Sequence, residues 1–472
     1  MTALVLPTST APGAYPQESG GRLINVYADS LGDTAGSKFA LRRVPGLTAF
    51  GTTVQAGFRG MQSVGNTLYS AWSGKAVKHT TAGGAATILT GTLPGIVPVI
   101  WARNNASVPD LVAVAPGDGA FSVSTTAISA YPDIDVGQPN SVCNLKGFFI
   151  FTSGDGKMIA SDVNSTNINA LNFANAESKP DTLYRAVPMP NGQLLACGSD
   201  SMEVWGGINT TGFPFSYIST IPLGIAGPYC ITGSEDGWGQ GLFLTASDFG
   251  VYQLSGYQPT KISPPDLDRL IEAVVDKSTI LMSVFVAGGH SFVRVRSPTW
   301  TWIYDVNVQK WHERQSYLTA VGRSLTSHKF NGKWYAGDSL SGNIVLIDPA
   351  AATEVGNPLT AIVETGPMGN FPNGARINRL DLFVSVGVGI ATGLDPIQTD
   401  PSIEIAISRD NGITWSAPWV RKLGRQAIGS TKVTVNNLGH VGPQGAKLRF
   451  AVSDPVHVAI MGGDIEFQVL GK

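Results

Sequence analysis

Apolar residues along the chain come in short bursts separated by glycine, asparagine and aspartate, and the bursts recur. They read "NTLYSAW" (66–72), "PDLVAVA" (109–115), "KGFFIFTS" (146–153), "NGQLLACGSD" (191–200), "GLFLTASD" (241–248), "SFVRVRS" (291–297) and "NGKWYAGDS" (331–339). The spacing is roughly 35–50 residues, the period of propeller blades. Several bursts are followed by a second strand of similar type. The turns fall at Gly198–Ser201 and Ser247–Gly250, and "KWYAGDSLSGNIVLID" repeats the device. Such a hairpin unit cannot bury both faces alone. Stacked radially, the units share a core and leave only short edges. Seven bursts predict about seven blades, or six if one burst is misread. Helical spacing is clear in one place, "PPDLDRLIEAVV" (264–275), where Leu267, Leu270, Ile271 and Val274 share a face.

The period stops after "LIDPAAATEVGNP" (346–358). Beyond it "TAIVETG", "RLDLFVSVGVG", "SIEIAISRD", "KLRFAVSD", "HVAIMGG" and "IEFQVL" alternate between Gly-rich turns, the pattern of a β-sandwich of about one hundred residues. The chain is therefore expected to be all-β. Residues 1–57 form an N-terminal arm with a propeller-closing strand, 58–355 the β-propeller and 356–472 the C-terminal sandwich. Composition agrees: 56 glycines, 29 prolines and only 14% charged residues suit strands joined by tight turns. The formal net charge of −2 argues against gripping nucleic acid as the main task, while leaving room for a local basic patch. Cys143, Cys197 and Cys230 are odd in number, widely spaced and set in or beside apolar runs, so buried free thiols in a reducing cytoplasm are expected. The N-terminus lacks the basic and apolar regions of a signal peptide. No apolar run approaches a membrane span.

Candidate chemistry is sparse. "SRDNGITW" (408–415) fits the Asp-box pattern through Ser408, Asp410, Gly412, Thr414 and Trp415. Asn411-Gly412 is a strong hairpin signal, because both central residues take positive φ. Asp410 can accept from the turn's own amides, and Trp415 can fold back over it, so the motif has a complete structural explanation. Asp-boxes also occur in sialidases, and Arg43-Val44-Pro45 is similar to their Arg-Ile-Pro start. A sialidase-type enzyme needs several boxes, an arginine triad and a tyrosine nucleophile with its acid partner. A glycan- or receptor-binding module, the other alternative, needs equivalent aromatic pockets on successive blades, and the ten tryptophans do not recur at one blade position. The six histidines form no metal-binding pair, and "WHERQS" lacks the second histidine of a zinc-protease helix. Asp133 and Asp135 in "PDIDVG" have no acidic cluster to complete a calcium site, so a solvated turn is expected. Arg421, Lys422 and Arg425 in "WVRKLGRQ" (419–426) suit either contact with DNA or an acidic partner, or a strand edge blunted by charge, the latter preferred. No nucleophile, phosphate loop or cofactor motif emerges.

The order of several phrases carries a resemblance. They are "GGRLINVYADS…LRRVPGLTAFG" (20–51), "FRGMQSVGNTLYSAWSGKAVKH" (58–79), and 172–207 with Ala176, Glu177, Pro180, Asp181 and "GSDSMEVW". "FPFSYI…GIAGPYCI" (213–231), "DFGVYQLSGYQPTKIS" (248–263) and "SRDNGITWS…RKLG" follow. In this order the chain resembles the packaged-DNA stabilisation proteins of short-tailed phages, the tail hub or tail accessory factors. The N-terminal tail and the 386–402 loop match no phrase of that family. The resemblance implies a structural virion protein, not an enzyme, assembled in the bacterial cytoplasm and located in the virion tail. It implies a ring, usually of six copies, below the portal and its adaptor. That ring extends the channel for double-stranded DNA, retains the packaged genome and anchors a needle or plug and tailspikes or fibres. It implies no cofactor, no metal and no catalytic residue.

Overall fold

The computed structural model describes residues 2–470 apart from 33–36, 54, 81–85, 177, 210, 370–371 and 430. Glu177 thus lies outside the described residues. Seven antiparallel blades of four strands each follow one another over 58–88, 100–130, 141–175, 183–221, 231–261, 281–313 and 324–348, the seventh taking its fourth strand from elsewhere. Each of the seven apolar bursts is the second strand of one blade: Thr67–Trp72, Leu111–Ala115, Phe148–Thr152, Leu194–Gly198, Leu242–Thr245, His290–Arg296 and Lys333–Asp338. These strands are buried almost throughout, because neighbouring blades cover both faces. Outer strands such as Ile168–Asn175 and Ser216–Ile221 are largely exposed. The core is accordingly a ring of clusters between blades. Tyr69, Leu111 and Val123 join the first two blades, and Phe58, Trp72, Phe330 and Tyr335 join the last to the first.

Two devices close the ring. Strand Gly46–Thr52 supplies the fourth strand of the seventh blade, pairing with Asn343–Asp348. Gly337 lets the Phe58 ring pack against the backbone, for a Cβ there would sit 2.1 Å from that ring. The expected helix is present as Pro265–Glu272, with Leu267 and Ile271 buried between blades.

The sandwich draws on both ends of the chain. One sheet runs Val26–Ser30, Phe39–Arg43, Ala459–Val469, Ala375–Val384, Val433–Val441. The other runs Gly21–Ile24, Ala361–Thr365, Lys447–Val452, Ser402–Ser408, Trp419–Lys422. Leu23, Val26 and Leu41 share one core with Ile377, Ile405 and Phe450. Strands Gly21–Ile24, Val26–Ser30 and Phe39–Arg43 thus belong to the sandwich, where the sequence suggested an arm ahead of the propeller-closing strand. "HVAIMGG" and "IEFQVL" merge into the single strand Ala459–Val469. The second sheet continues into the propeller, since Ile24 bridges Glu313 on the outer strand of the sixth blade. The sandwich thus hangs on the rim of blades six and seven.

Candidate functional site

The inner strands enclose an axial cavity of about 390 Å³. Arg59, Trp101, Arg103, Arg185, Tyr229 and His328 are among the residues lining it. Residues 233–241 cross one mouth. This segment belongs to the fifth blade, yet Asp236 pairs with Arg103 of the second blade at 3.0 Å, and Gly237 packs on the Lys329 side chain of the seventh. Gly237 has φ of +81°, a conformation that glycine adopts without strain.

The axis holds arginines and a tyrosine, the residue types of the sialidase alternative, but their engagement differs. Arg59 is buried and donates to the carbonyls of Ser73, Leu93 and Val97 at 2.7–2.8 Å. Burial lowers its pKa. Tyr229 donates to the Pro98 carbonyl at 3.0 Å rather than to a carboxylate, and burial pushes its pKa up to about 12. A nucleophilic tyrosine requires the opposite shift. Glu235 accepts from the Gly233 amide at 2.6 Å and from the Thr232 hydroxyl. Arg43, of the sialidase-like "RRVP", lies at the seam between sandwich and propeller. It donates to the carbonyls of Ala352, Val452 and Asp454, with its pKa lowered to about 10 by burial. His328 seals the ring instead of ligating a metal: its Nε2 lies 3.1 Å from the Ser63 amide of the first blade, and burial draws its pKa down to about 4. The three cysteines are buried and free, with burial raising each to about 12. Among the described residues no group of three or more histidines, cysteines and carboxylates is placed to hold a metal ion. Asp133 caps a short turn, accepting from the amides of Asp135 and Ile168.

The seam carries a polar network of its own. The Glu313 carboxylate accepts from Arg22 Nη2 at 2.6 Å, Arg22 Nε at 2.9 Å and the Thr10 hydroxyl at 2.8 Å. His290 spans the seam, with Nδ1 2.6 Å from Asp305 in the propeller and Nε2 3.2 Å from Asp29 in the sandwich. The Asp305 hydrogen bond is the main cause that raises its pKa.

The Asp-box lies in the sandwich, far along the sheet from the axis. Asp410 accepts from the Thr414 hydroxyl, from the Thr414 amide at 2.8 Å and from the Ser408 hydroxyl at 2.7 Å, and these bonds, the Thr414 hydroxyl's foremost, depress its pKa. The Ser408 hydroxyl accepts from the Gly412 amide at 2.7 Å. Asn411 and Gly412 take φ of +61° and +99°. The Arg449 guanidinium stacks 4.0 Å from the Trp415 ring centre. The Ser408, Asp410 and Thr414 side chains are engaged by the turn itself. The basic cluster sits on the edge strand Trp419–Lys422. Arg421 donates to the Thr434 carbonyl at 2.7 Å and Lys422 pairs with Asp400 at 3.3 Å, while Arg425 is exposed. Arg409 likewise donates to the carbonyls of Leu438 and His440. Together these guanidiniums cover outward carbonyls of strand Val433–Val441, which answers the edge-pairing hazard. The axial residues were not found from sequence, because they are single polar positions within inner strands rather than a contiguous run.

Comparison with known proteins gives one family. The family model described as Bacteriophage P22 Gp10, beta-propeller, matches residues 23–352. No curated protein matches the chain. Similar solved structures include PorZ, a surface component of the type-IX secretion system of Porphyromonas gingivalis, at 11% identity and a TM-score of 0.41, over 71% of this chain and 45% of PorZ. The chain thus spans less than half of PorZ. The WD40 repeats of RRP9 are 9% identical with a TM-score of 0.41, over 65% of this chain and 99% of that one. The WD40 β-propeller domain of Doa1 is 10% identical with a TM-score of 0.41, over 64% of this chain and 96% of that one.

Proposed function

The chain belongs to the phage P22 Gp10 β-propeller family of packaged-DNA stabilisation proteins, and from that premise we propose that it is a non-enzymatic tail hub. In this reading several copies, six by family resemblance, form a ring below the portal and its adaptor. The ring extends the DNA exit channel, retains the genome and anchors the needle or plug and the tailspikes or fibres. Assembly takes place in the host cytoplasm. The observation that carries the reading is the family match from residue 23 to 352, which spans all seven blades.

The axial cavity of about 390 Å³ is crossed at one mouth by residues 233–241. B-DNA, whose major groove alone is about 12 Å wide, does not thread it. In this reading the channel of the ring is formed between copies, with each propeller as a wall block. A near-neutral net charge of −2 supports that role, because a strongly basic wall would add phosphate contacts and slow ejection.

The reading is tested with particles assembled in the absence of this protein. The expected result is heads that package DNA and then lose it, with retention restored by adding the purified protein. Particles that hold their DNA equally well without it overturn the reading.

A further inference from the structure

We propose that the propeller axis is a binding site for a small oxyanion, a phosphate or a carboxylate, held by Arg185 and Arg103 under the 233–241 segment. This inference is independent of the tail-hub reading. It rests on unmet donors. Three residues lining the axial cavity carry a buried N–H without a partner among the described residues: Trp101 Nε1, Arg103 Nε and Arg185 Nε. All three are donors, and none is an acceptor. Buried donors are normally satisfied, so several converging on one cavity call for an acceptor-rich occupant.

The charge balance points the same way. Arg103, Lys146 and Arg185 line the cavity, against two carboxylates, Glu235 and Asp236, while the Arg59 guanidinium is turned to the Ser73, Leu93 and Val97 carbonyls. Glu235 is engaged by Thr232 and Gly233, and Asp236 by Arg103. Arg185, on the fourth blade, has neither a carboxylate nor a carbonyl partner among the described residues, whereas Arg59, on the first, is anchored by three carbonyls. His328 is held neutral by burial and its Ser63 contact, so it adds no charge. The axis is thus locally cationic in a chain whose net charge is −2. An anion there meets guanidiniums in a partly desolvated site, where charge-assisted hydrogen bonds are strong.

The cover fits the same use. The segment holds Gly233, Gly237, Gly239 and Gly241, and its link to the second blade is the Arg103–Asp236 pair, whose side chains are 35% and 54% exposed. Asp236 is itself an oxyanion on Arg103. An entering anion competes with it for the same guanidinium, so binding and release of the segment are coupled.

Calorimetric titration of the full chain with inorganic phosphate, and separately with citrate, tests the proposal. Saturable one-site binding of at least one of the two is expected, and which one binds identifies the source chemistry. Arg185→Gln is expected to weaken that binding at least tenfold. Asp236→Asn, which removes the internal competitor on an exposed loop, is expected to tighten it severalfold. Arg421→Gln, in the sandwich, is expected to leave it unchanged. Absence of saturable binding with both anions overturns the proposal. So does an Arg185→Gln protein that binds like the wild type. Should Arg185→Gln fail to fold, Asp236→Asn decides: affinity that stays equal or falls rejects the site.

Discussion

Replacing Glu313 by glutamine is expected to loosen the sandwich from the propeller without unfolding either. Glu313 is 7% exposed and receives three side-chain hydrogen bonds, two from Arg22 and one from Thr10. Its own carbonyl accepts from the Asn25 amide. Breaking a fully buried ion pair costs about 3–5 kcal/mol. Arg22 is 34% exposed in its side chain, so water solvates part of the guanidinium once the carboxylate is gone. A charged hydrogen bond to a group of this kind is worth about 1.5–3 kcal/mol. The working figure is about 2 kcal/mol, or roughly 30-fold in the local opening equilibrium. Hydrogen exchange reads it directly. The amides of Gly21–Ile24 and Lys310–Glu313 should exchange roughly 30-fold faster. Those of Phe148–Thr152, across the propeller, should not change. A cycle with Arg22→Gln should return a coupling of about 1–2 kcal/mol. A change under about threefold at the seam, or an equal change throughout the chain, would refute the assignment of Glu313 as the local tie.

Three further outcomes follow from the same geometry. Because Asp305 and Asp29 raise the His290 pKa above its ordinary 6.5, the protonated bridge is complete below that value and is lost as pH rises through the raised one; limited proteolysis between the domains should therefore accelerate from pH 6 to pH 9, with His290→Gln flattening the profile. The neighbours that set this behaviour are Asp305, Asp29 with its Arg42 partner, and the neutral His312. Gly337→Ala should push against the Phe58 ring and destabilise the closure of blades seven and one by about 1–3 kcal/mol, seen as faster exchange of Phe58–Val64 and Ser324–Phe330 than of other inner strands. Asp410→Ala should speed exchange at the Thr414 amide, while leaving the propeller and any assembly it makes intact.

The propeller was legible because of where the second strand of each blade lies. It is covered on both faces, so it reads as a continuous apolar burst such as "LVAVA" or "FFIFT". The inner strands face a polar axis, and the outer strands face solvent. Neither gives a burst, and the count rests on one strand per blade. The sandwich was legible only in its C-terminal half. Leu41 pairs with Ile460 across more than four hundred residues, and nothing in local patterning announces a partner that far away. The Asp-box turn was readable because its chemistry is local: the bonds that hold Ser408, Asp410 and Thr414 run within residues 408–414. The axial arginines were not, because Arg59, Arg103 and Arg185 are brought together by radial closure alone. The run 419–426 is basic in sequence, yet the structure uses Arg421 and Lys422 to satisfy nearby carbonyl and carboxylate groups.

The central claim is a ring of these chains whose DNA channel runs between copies. Sedimentation and electron imaging of the protein mixed with its phage's portal–adaptor complex test it most directly. The account predicts a ring of about six copies capping that complex, by family resemblance to rings of short-tailed phages. Each propeller axis should remain closed by the 233–241 segment, with the open lumen lying between subunits. A protein that stays monomeric and ignores the complex, or a DNA path that threads the propeller axis, would contradict it.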